Sequence, residues 1–110
     1  MSADRLREAA KTLRQRAEAA TPGPWIAEYS KKSGHCVIDA ESRNALDSVV
    51  RATHFRDVGD ATYIATMHPL VGLALADWLD AVADDYAIAQ YGYWSTRALA
   101  VADAILGGDR

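Results

Sequence analysis

The sequence lacks the residues that would support a disulfide framework or a membrane span. Its one cysteine, Cys36, excludes an internal disulfide and makes a reducing compartment the simplest expectation. The most apolar tract, residues 61–76, contains His68 and Pro69 and is too short to cross a bilayer. The first 20 residues lack the apolar segment of a signal peptide. These absences predict a cytoplasmic protein with no membrane partner.

Signals for phosphate and nucleic acid are also scarce. The segment TPGP (21–24) holds a single glycine, and no Walker-type or dinucleotide-type glycine pattern follows a strand-like segment. The formal net charge is −3, whereas a nucleic-acid-binding domain usually carries a basic excess. The basic residues of the N-terminal third are interspersed with acids and lie apart from the aromatic residues: Arg7, Lys11, Arg14, Lys31 and Lys32. We therefore expect neither a nucleic acid partner nor a cofactor.

The chain has the composition of a globular domain that is rich in alanine. Hydrophobic residues make up 50% and charged residues 25% of the 110 positions, which fits a single domain over 1–110. Alanine occupies 22 positions and favours helices, whereas Leu, Ile, Val and Phe together occupy only 22. The three Trp and five Tyr are therefore expected to supply much of the buried area. So thin a core predicts that a partner, or a second copy, covers some apolar surface.

Charge is unevenly distributed along the chain. Residues 1–34 carry seven Lys or Arg against four Asp or Glu, a net +3, and residues 57–110 carry two Arg against eight Asp, a net −6. Such polarity could serve head-to-tail association or a charged partner, although solvated helix faces are the commoner cause.

The first twenty residues have the period of an amphipathic helix. Leucine and alanine recur at steps of three and four, at positions 6, 9, 10, 13, 17 and 20. The helix must stop before Pro22, which lacks a backbone N–H and disfavours helical geometry in the preceding residue. A helix is predicted over 3–20. Gly23 is expected to adopt a backbone angle that other residues resist, and Pro24 to start a strand.

The period then changes to two. Trp25, Ala27 and Tyr29 alternate with residues of the other face, and the segments 31–34 and 41–44 have turn chemistry. These patterns predict a three-stranded antiparallel β-meander covered by helices on one face. Its strands are predicted over 25–30, 35–39 and 46–52.

From residue 57 the helical period returns. Asp57 or Asp60 can cap a short helix over 58–67, and Pro69 suits the first turn of a second helix over 69–90. The second helix has a predicted apolar stripe made of Val71, Leu75, Trp78, Leu79, Val82, Tyr86 and Ala89.

A last helix is predicted over 95–106. Ser95 or Thr96 is expected to cap it, and Gly107 and Gly108 to end it. The predicted fold class is therefore α+β, with an N-terminal helix, a β-meander and two to three C-terminal helices.

His35 and Cys36 raise the question of a catalytic thiol. Neighbouring side chains of a strand point to opposite faces, so these two cannot easily share a proton. A buried strand thiol is the favoured interpretation of Cys36. The histidines at 35, 54 and 68 match no spacing typical of metal ligands. No catalytic residue and no metal site is predicted.

Asp77, Asp80 and Asp84 share one face of the second predicted helix. Such a ridge can attract hydrated Mg²⁺ weakly, but the solvated side of an amphipathic helix is the commoner explanation. The sequence leaves open whether this acidic face is functional.

Two aromatic groups are candidates for binding. Around the glycine of YGYW (91–94), three side chains either fill a gap between helices or form an interface: Tyr91, Tyr93 and Trp94. Three others could line a ligand pocket between the sheet and the helices: Trp25, Tyr29 and His54.

Two segments resemble a known family. ATPGPW (20–25) and DATYIATMHP (60–69) are similar to recurring motifs of the Ead-like accessory proteins of bacteriophages and prophages, including those of actinobacteria. The ending RALAVADAILG (97–107) is similar to the terminal helix of actinobacterial members. The matching motif residues are mostly apolar, aromatic or turn-forming, which is the chemistry of a scaffold: Pro22, Gly23, Pro24, Trp25, Tyr63, Ile64 and Pro69.

The resemblance implies a phage-type accessory protein with no catalytic residue or cofactor to carry over. We expect a non-enzymatic protein that acts through protein–protein interaction, with a host or phage protein as its partner. We also expect a homodimer or higher oligomer formed through the C-terminal helices. The alternative is a small-ligand module that binds a nucleotide or metabolite in the pocket described above.

Overall fold

The computed structural model describes residues 2–30, 34–40, 48–51, 58–89 and 93–107. Its elements, in chain order, are α1 (Ser2–Ala19), β1 (Trp25–Ser30), β2 (Gly34–Asp39), β3 (Ser48–Arg51), α2 (Val58–Thr66), α3 (Pro69–Ala89) and α4 (Tyr93–Leu106). The predicted mixture of helices and strands, with an N-terminal helix and C-terminal helices, is confirmed. None of the helices in these residues combines the length and the apolar character that crossing a membrane requires.

The chain divides into two compact units, which are described separately. The first consists of Met1–Arg16 with Gly72–Arg110, and the second of Ala17–Val71. The single domain over 1–110 stays a prediction.

The core of the first unit is built mainly from alanine. Among the described residues, nine are buried in its cluster, of which six are alanines and the others are Leu6, Leu79 and Val82. The alanines come from α1, α3 and α4: Ala9, Ala10, Ala76, Ala83, Ala98 and Ala102. Alanine at these contacts lets helices approach closely. No aromatic side chain of the described residues belongs to this cluster, so the aromatic core expected from the composition is not found here.

The buried side of α3 differs from the predicted stripe. Leu79 and Val82 are buried as expected, but Trp78 is 39% exposed, and Ala76 and Ala83 are fully buried instead. The prediction that placed Trp78 on the buried stripe is therefore wrong. Helices that meet through alanine lie too close together to hold an indole between them.

The second unit contains an antiparallel sheet with the strand order β1-β2-β3. β1 and β2 pair regularly, with Trp25 opposite Asp39 at one end. β3 has four residues, and its pairing with β2 shifts in register between Val37 and Ile38. Both faces of β2 are covered at its centre, because the consecutive residues Cys36, Val37 and Ile38 are all fully buried.

Helix α2 packs against β1 and β2. Ala61 and Ala65, one helical turn apart, are buried in a cluster with Val37 of β2. Trp25 and Ile64 pack against this cluster from its edge. The two alanines therefore define the side of α2 that faces the sheet.

Helix α2 begins at Val58, one residue after Asp57, the first of the two residues predicted to cap it. Asp57 lies outside the described residues, so its predicted capping role stays a prediction. Asp60 lies in the first turn of α2 and is not its cap. A carboxylate in a first turn still stabilises a helix, because the N-terminal end carries a partial positive charge.

Helix α4 begins at Tyr93, two residues before the predicted start. Ser95 and Thr96 therefore lie inside the helix, and the prediction that one of them caps it is wrong. Serine and threonine favour an N-cap but also occur within helices, so these residue types alone do not fix the start. The predicted end is confirmed, because Gly107 follows Leu106 with a φ of 95°, the left-handed geometry of a helix C-cap.

Candidate functional site

The two motif segments meet at Gly23 and His68. A Cβ atom placed on Gly23 would lie 2.5 Å from Nδ1 of the His68 ring, closer than real side chains come, and 3.2 Å from Cγ of the same ring. Glycine is required because the imidazole occupies the space that a side chain would fill. The predicted backbone angle is not the reason, since Gly107 is the glycine with positive φ among the described residues.

His68 also caps helix α3. The backbone N–H of Leu70 donates to Nδ1 of His68 at 3.3 Å, and the N–H of Val71 donates to the His68 carbonyl at 3.0 Å. Pro69, the first residue of α3, is buried and has no N–H to satisfy, as its sequence position predicts. The imidazole is therefore held between the turn at Gly23 and the start of α3.

Trp25 ties the same turn to the sheet. Its indole Nε1–H donates to the carbonyl of Thr21 at 3.0 Å. The backbone N–H of Ala40 donates to the carbonyl of Pro24 at 3.0 Å. The Trp25 side chain, half-buried, packs against the cluster under α2. The contacts of segment 20–25 are thus those of a turn that fixes the start of β1.

The described residues do not assemble the predicted ligand pocket. Trp25 packs into the cluster under α2, whereas Tyr29, four residues further along β1, is 65% exposed. His54 lies outside the described residues. A pocket formed by these three side chains stays a prediction.

The predicted aromatic interface falls largely outside the described part of the chain. Tyr91 is not among the described residues. Tyr93 and Trp94 form the start of α4, but their side chains are not described. The interface at these residues stays a prediction.

Tyr63 and Ile64, neighbours in the second motif, have different environments. Ile64 packs against the cluster under α2, as a scaffold residue would. Tyr63 is 68% exposed, and Met67, one turn further on, is 44% exposed. A scaffold role therefore does not explain the Tyr63 side chain.

Three arginines of α1 pair with aspartates of α3 and α4, and we call these contacts the charge ladder. They join Arg5 to Asp103, Arg7 to Asp84 at 3.2 Å, and Arg14 to Asp77 at 3.0 Å and to Asp80 at 2.9 Å. The acidic face predicted for α3 is therefore paired within the chain. The uneven charge along the sequence is partly neutralised by these internal contacts.

Arg14 pairs with two carboxylates of the charge ladder, those of Asp77 and Asp80. Its hydrogen bonds to Asp80 and, second, to Asp77 raise the pKa of the Arg14 guanidinium above its ordinary value. A guanidinium suits this position because its planar, delocalised charge offers several donors.

The charge ladder had a signal in the sequence that the predictions missed. Arg7 and Arg14 are seven residues apart on α1, and their partners Asp84 and Asp77 are seven residues apart on α3. Seven residues are close to two helical turns, so each pair of charges lies on one side of its helix. The pairing runs in opposite directions along the two helices, which makes their paired segments antiparallel.

The thiol of Cys36 and possible metal ligands are the remaining candidates for chemistry among the described residues. Cys36 is a free, buried thiol in β2, as the favoured interpretation predicted. Within the described parts of the chain, no three His, Cys, Asp or Glu side chains are grouped so that they could hold a metal ion.

A comparison with protein families completes this description. The family described as Ead/Ea22-like protein matches residues 5–105, most of the chain. The chain belongs to the Ead/Ea22-like family. No curated protein and no solved structure matches it. Membership of the Ead/Ea22-like family indicates a phage accessory protein, whereas the actinobacterial type stays a prediction.

In this Ead/Ea22-like chain, the motif residues fall into two groups. Gly23, Trp25 and Pro69 make the packing contacts that join the turn to the sheet and start α3. The side chain of Tyr63 is exposed on the surface instead.

Proposed function

We propose that the chain is a non-enzymatic phage or prophage accessory protein that binds a host or phage protein in the cytoplasm, and that it forms a homo-oligomer. Family membership supports the accessory role. The observation that carries the binding role is the exposed side of α2. The alternative, a small-ligand module, has no comparable support among the described side chains.

The exposed side of α2 carries no charged residue from Thr62 to Met67, beyond the exposed Asp60 of the first turn. We define the α2 outer face as Thr62, Tyr63, Thr66 and Met67, all of which are exposed. The hydroxyl of Thr66 donates to the carbonyl of Thr62 at 2.8 Å, so its hydrogen-bonding demand is met within the helix. An aromatic ring and a thioether are left as the large groups of this face.

The α2 outer face has the composition of an interface and not that of an ordinary helix surface. On α1, by contrast, the exposed positions include Arg7, Glu8 and Lys11. Interface centres are depleted in charged residues and enriched in Tyr and Met. Exposed aromatic side chains of this kind also carry a large share of binding energy at interfaces.

Within the described part of the chain, the side chains most suited to catalysis serve structural contacts instead. The imidazole of His68 packs on Gly23 and accepts from the start of α3. The guanidinium groups of Arg7 and Arg14 are bonded to aspartates, and the thiol of Cys36 is buried. These contacts support a binding role over a catalytic one.

The proposal is tested by capturing partners from host lysate on the immobilised protein. We expect the native chain to capture a partner protein. Tyr63→Ala should capture at least about tenfold less of it, because the variant lacks the aromatic side chain that the partner would bury. Tyr63→Ala should keep the native melting temperature, since the Tyr63 side chain is mostly exposed in the free protein.

Tyr29→Ala is the matched control. Tyr29 is 65% exposed, close to the exposure of Tyr63, and it lies on β1 instead of α2. We expect this variant to capture the partner as well as the native chain does. Equal capture by all three proteins, or no capture by the native chain, would contradict the proposal.

A further inference from the structure

Sulfur occurs at three positions of the chain: Met1, Cys36 and Met67. Met1 lies outside the described residues, and the free thiol of Cys36 is fully buried in β2. Met67, in contrast, is 44% exposed. Among the described residues, Met67 therefore carries the sulfur atom that a dissolved oxidant can reach.

Burial protects the thiol of Cys36, although cysteine is the more easily oxidised residue type. Its neighbours Val37 and Ile38 are also fully buried, so both faces of β2 are covered at this point. An oxidant must contact the sulfur atom directly, and susceptibility therefore follows exposure. The order of reactivity that the residue types alone would give, cysteine before methionine, is reversed in the folded chain.

The backbone holds Met67 at the end of α2. Its N–H donates to the carbonyl of Tyr63 at 3.1 Å and to that of Ile64 at 3.2 Å, so helical geometry continues one residue past Thr66. Side chains on a helix lean toward its N-terminus, which places that of Met67 on the side of Tyr63, one turn earlier. The thioether and the aromatic ring are therefore neighbouring parts of the α2 outer face.

Oxidation of Met67 would change the α2 outer face without altering its backbone. Hydrogen peroxide transfers one oxygen atom to the sulfur: the O–O bond breaks, an S–O bond forms, and the other oxygen leaves with both protons as water. The sulfur is oxidised by two electrons, and the peroxide is reduced by two. The product is a sulfoxide, a polar group with an acceptor oxygen in place of an apolar thioether.

The new oxygen would weaken an interface formed by the α2 outer face. The hydroxyl next to Met67 in the sequence, that of Thr66, already donates to the carbonyl of Thr62. A partner surface that covers a thioether needs no hydrogen-bond donor at that point. The sulfoxide oxygen would therefore lose its water without gaining a donor, which is costly for a buried polar group.

We propose that Met67 is an oxidation site, at which a peroxide converts the α2 outer face from an apolar to a polar surface and so releases the protein bound there. The release rests on the proposed function, whereas the site rests on the exposure of Met67 and the burial of Cys36. The step is reversible, because reductases return methionine sulfoxide to methionine.

Peptide mapping of the folded chain after graded treatment with hydrogen peroxide tests the site. One added oxygen atom should appear at Met67 before any modification appears at Cys36. The same chain unfolded in urea is the control, because unfolding exposes the thiol and should restore the order of cysteine before methionine. Modification of Cys36 ahead of Met67 in the folded chain would overturn the proposal.

Capture from host lysate, repeated with the oxidised chain, tests the release. The oxidised native chain should capture at least about tenfold less of the partner than the untreated chain does. Treatment with the two stereospecific methionine sulfoxide reductases should restore capture. Both samples should have the same melting temperature, since Met67 is exposed in the free protein.

Two substitutions assign the effect to position 67. Met67→Leu has no thioether there, so its capture should be the same before and after peroxide; the comparison is made within the variant and does not depend on how well leucine replaces methionine. Met67→Gln should capture as little as the oxidised native chain without any peroxide, because it also places a polar oxygen on the α2 outer face.

The outcomes separate the site, the release and the proposed function. Oxidation at Met67 with unchanged capture would overturn the release while the binding role stands. A loss of capture that peroxide also causes in Met67→Leu would place the cause at another residue and overturn the release as well. No capture by the untreated native chain would overturn the binding role and the release together, and the peptide map would still decide the site.

Discussion

Gly23 and His68 stand 45 positions apart in the sequence, yet each limits the size of the other. The glycine leaves the space in which the imidazole lies, and the imidazole caps α3 through its Nδ1 atom. A single contact therefore joins the end of the N-terminal turn to the start of a long helix. The substitution Gly23→Ala, which adds one methyl group, tests how closely the two residues are packed.

We expect Gly23→Ala to lower the free energy of unfolding by about 1–3 kcal/mol, the usual cost of overpacking. The new Cβ would lie 2.5 Å from Nδ1 of His68, so the ring or the turn must move. Urea denaturation of the native chain and the variant measures the change.

A double-mutant cycle with His68→Ala shows whether the imidazole is the cause. His68→Ala removes the ring that the new methyl group meets. In that background, Gly23→Ala should cost much less than in the native chain. An unchanged cost would mean that backbone conformation, and not the imidazole, makes glycine necessary.

At the scale of the elements, sequence periodicity predicted most helices and strands but not the contacts between them. Alanine and leucine repeats located α1, and period-two alternation located β1, because each pattern depends on neighbours along the chain. Gly23 could not be matched with His68 in this way, since no local pattern links positions so far apart. Trp78 was misplaced for the same reason, because its burial depends on how closely other helices approach α3.

The charge ladder is a second set of contacts that the periodicity of single segments did not predict. The predictions favoured a solvated face for the aspartates of α3. The period of a single helix places these residues on one face but does not identify a partner helix. Comparing the spacing of opposite charges in two segments, seven residues in each, would have indicated the pairing. Matched spacings are therefore a useful long-range signal when two amphipathic helices carry opposite charges.

We expect Arg14→Met to lower the urea midpoint of unfolding and to weaken its dependence on salt. The substitution keeps much of the aliphatic stem but leaves Asp77 and Asp80 without their shared partner. Added salt screens exposed charge pairs, so the native chain should lose more stability than the variant between about 0.05 and 0.5 M NaCl.

Arg16→Met is the control, since Arg16 is exposed on α1 and lies outside the charge ladder. It should leave both the midpoint and the salt dependence close to native values. The raised pKa of Arg14 means that its stabilisation is present below the ordinary arginine pKa and is lost only as pH rises through the raised value. The titration of Arg14 should therefore cause no change in stability between about pH 6 and 9. An equal fall of the urea midpoint in Arg14→Met and in Arg16→Met would contradict a special role for Arg14.

At the scale of the whole molecule, the two compact units raise the question of how many cooperative transitions the chain has. Among the described residues, six of the nine buried members of the first unit's cluster are alanines, and two of the three in the second unit's cluster are alanines. Alanine buries little apolar area per residue, and cores with little buried area are marginal for independent folding. Helices α1 and α3 also continue from one unit into the other along the chain.

These features predict one cooperative unfolding transition for the whole chain. Leu79→Ala, a fully buried change in the first unit, should lower the free energy of unfolding by about 2–5 kcal/mol. Hydrogen exchange should show an equal loss for the amides of Val37 and Ile38 in the second unit, because a single transition exposes both units. Ala104→Gln, an exposed change in the first unit, should leave these amides as protected as in the native chain. If instead Leu79→Ala lowers protection in α3 and α4 alone, each unit unfolds separately and the single-domain prediction is wrong.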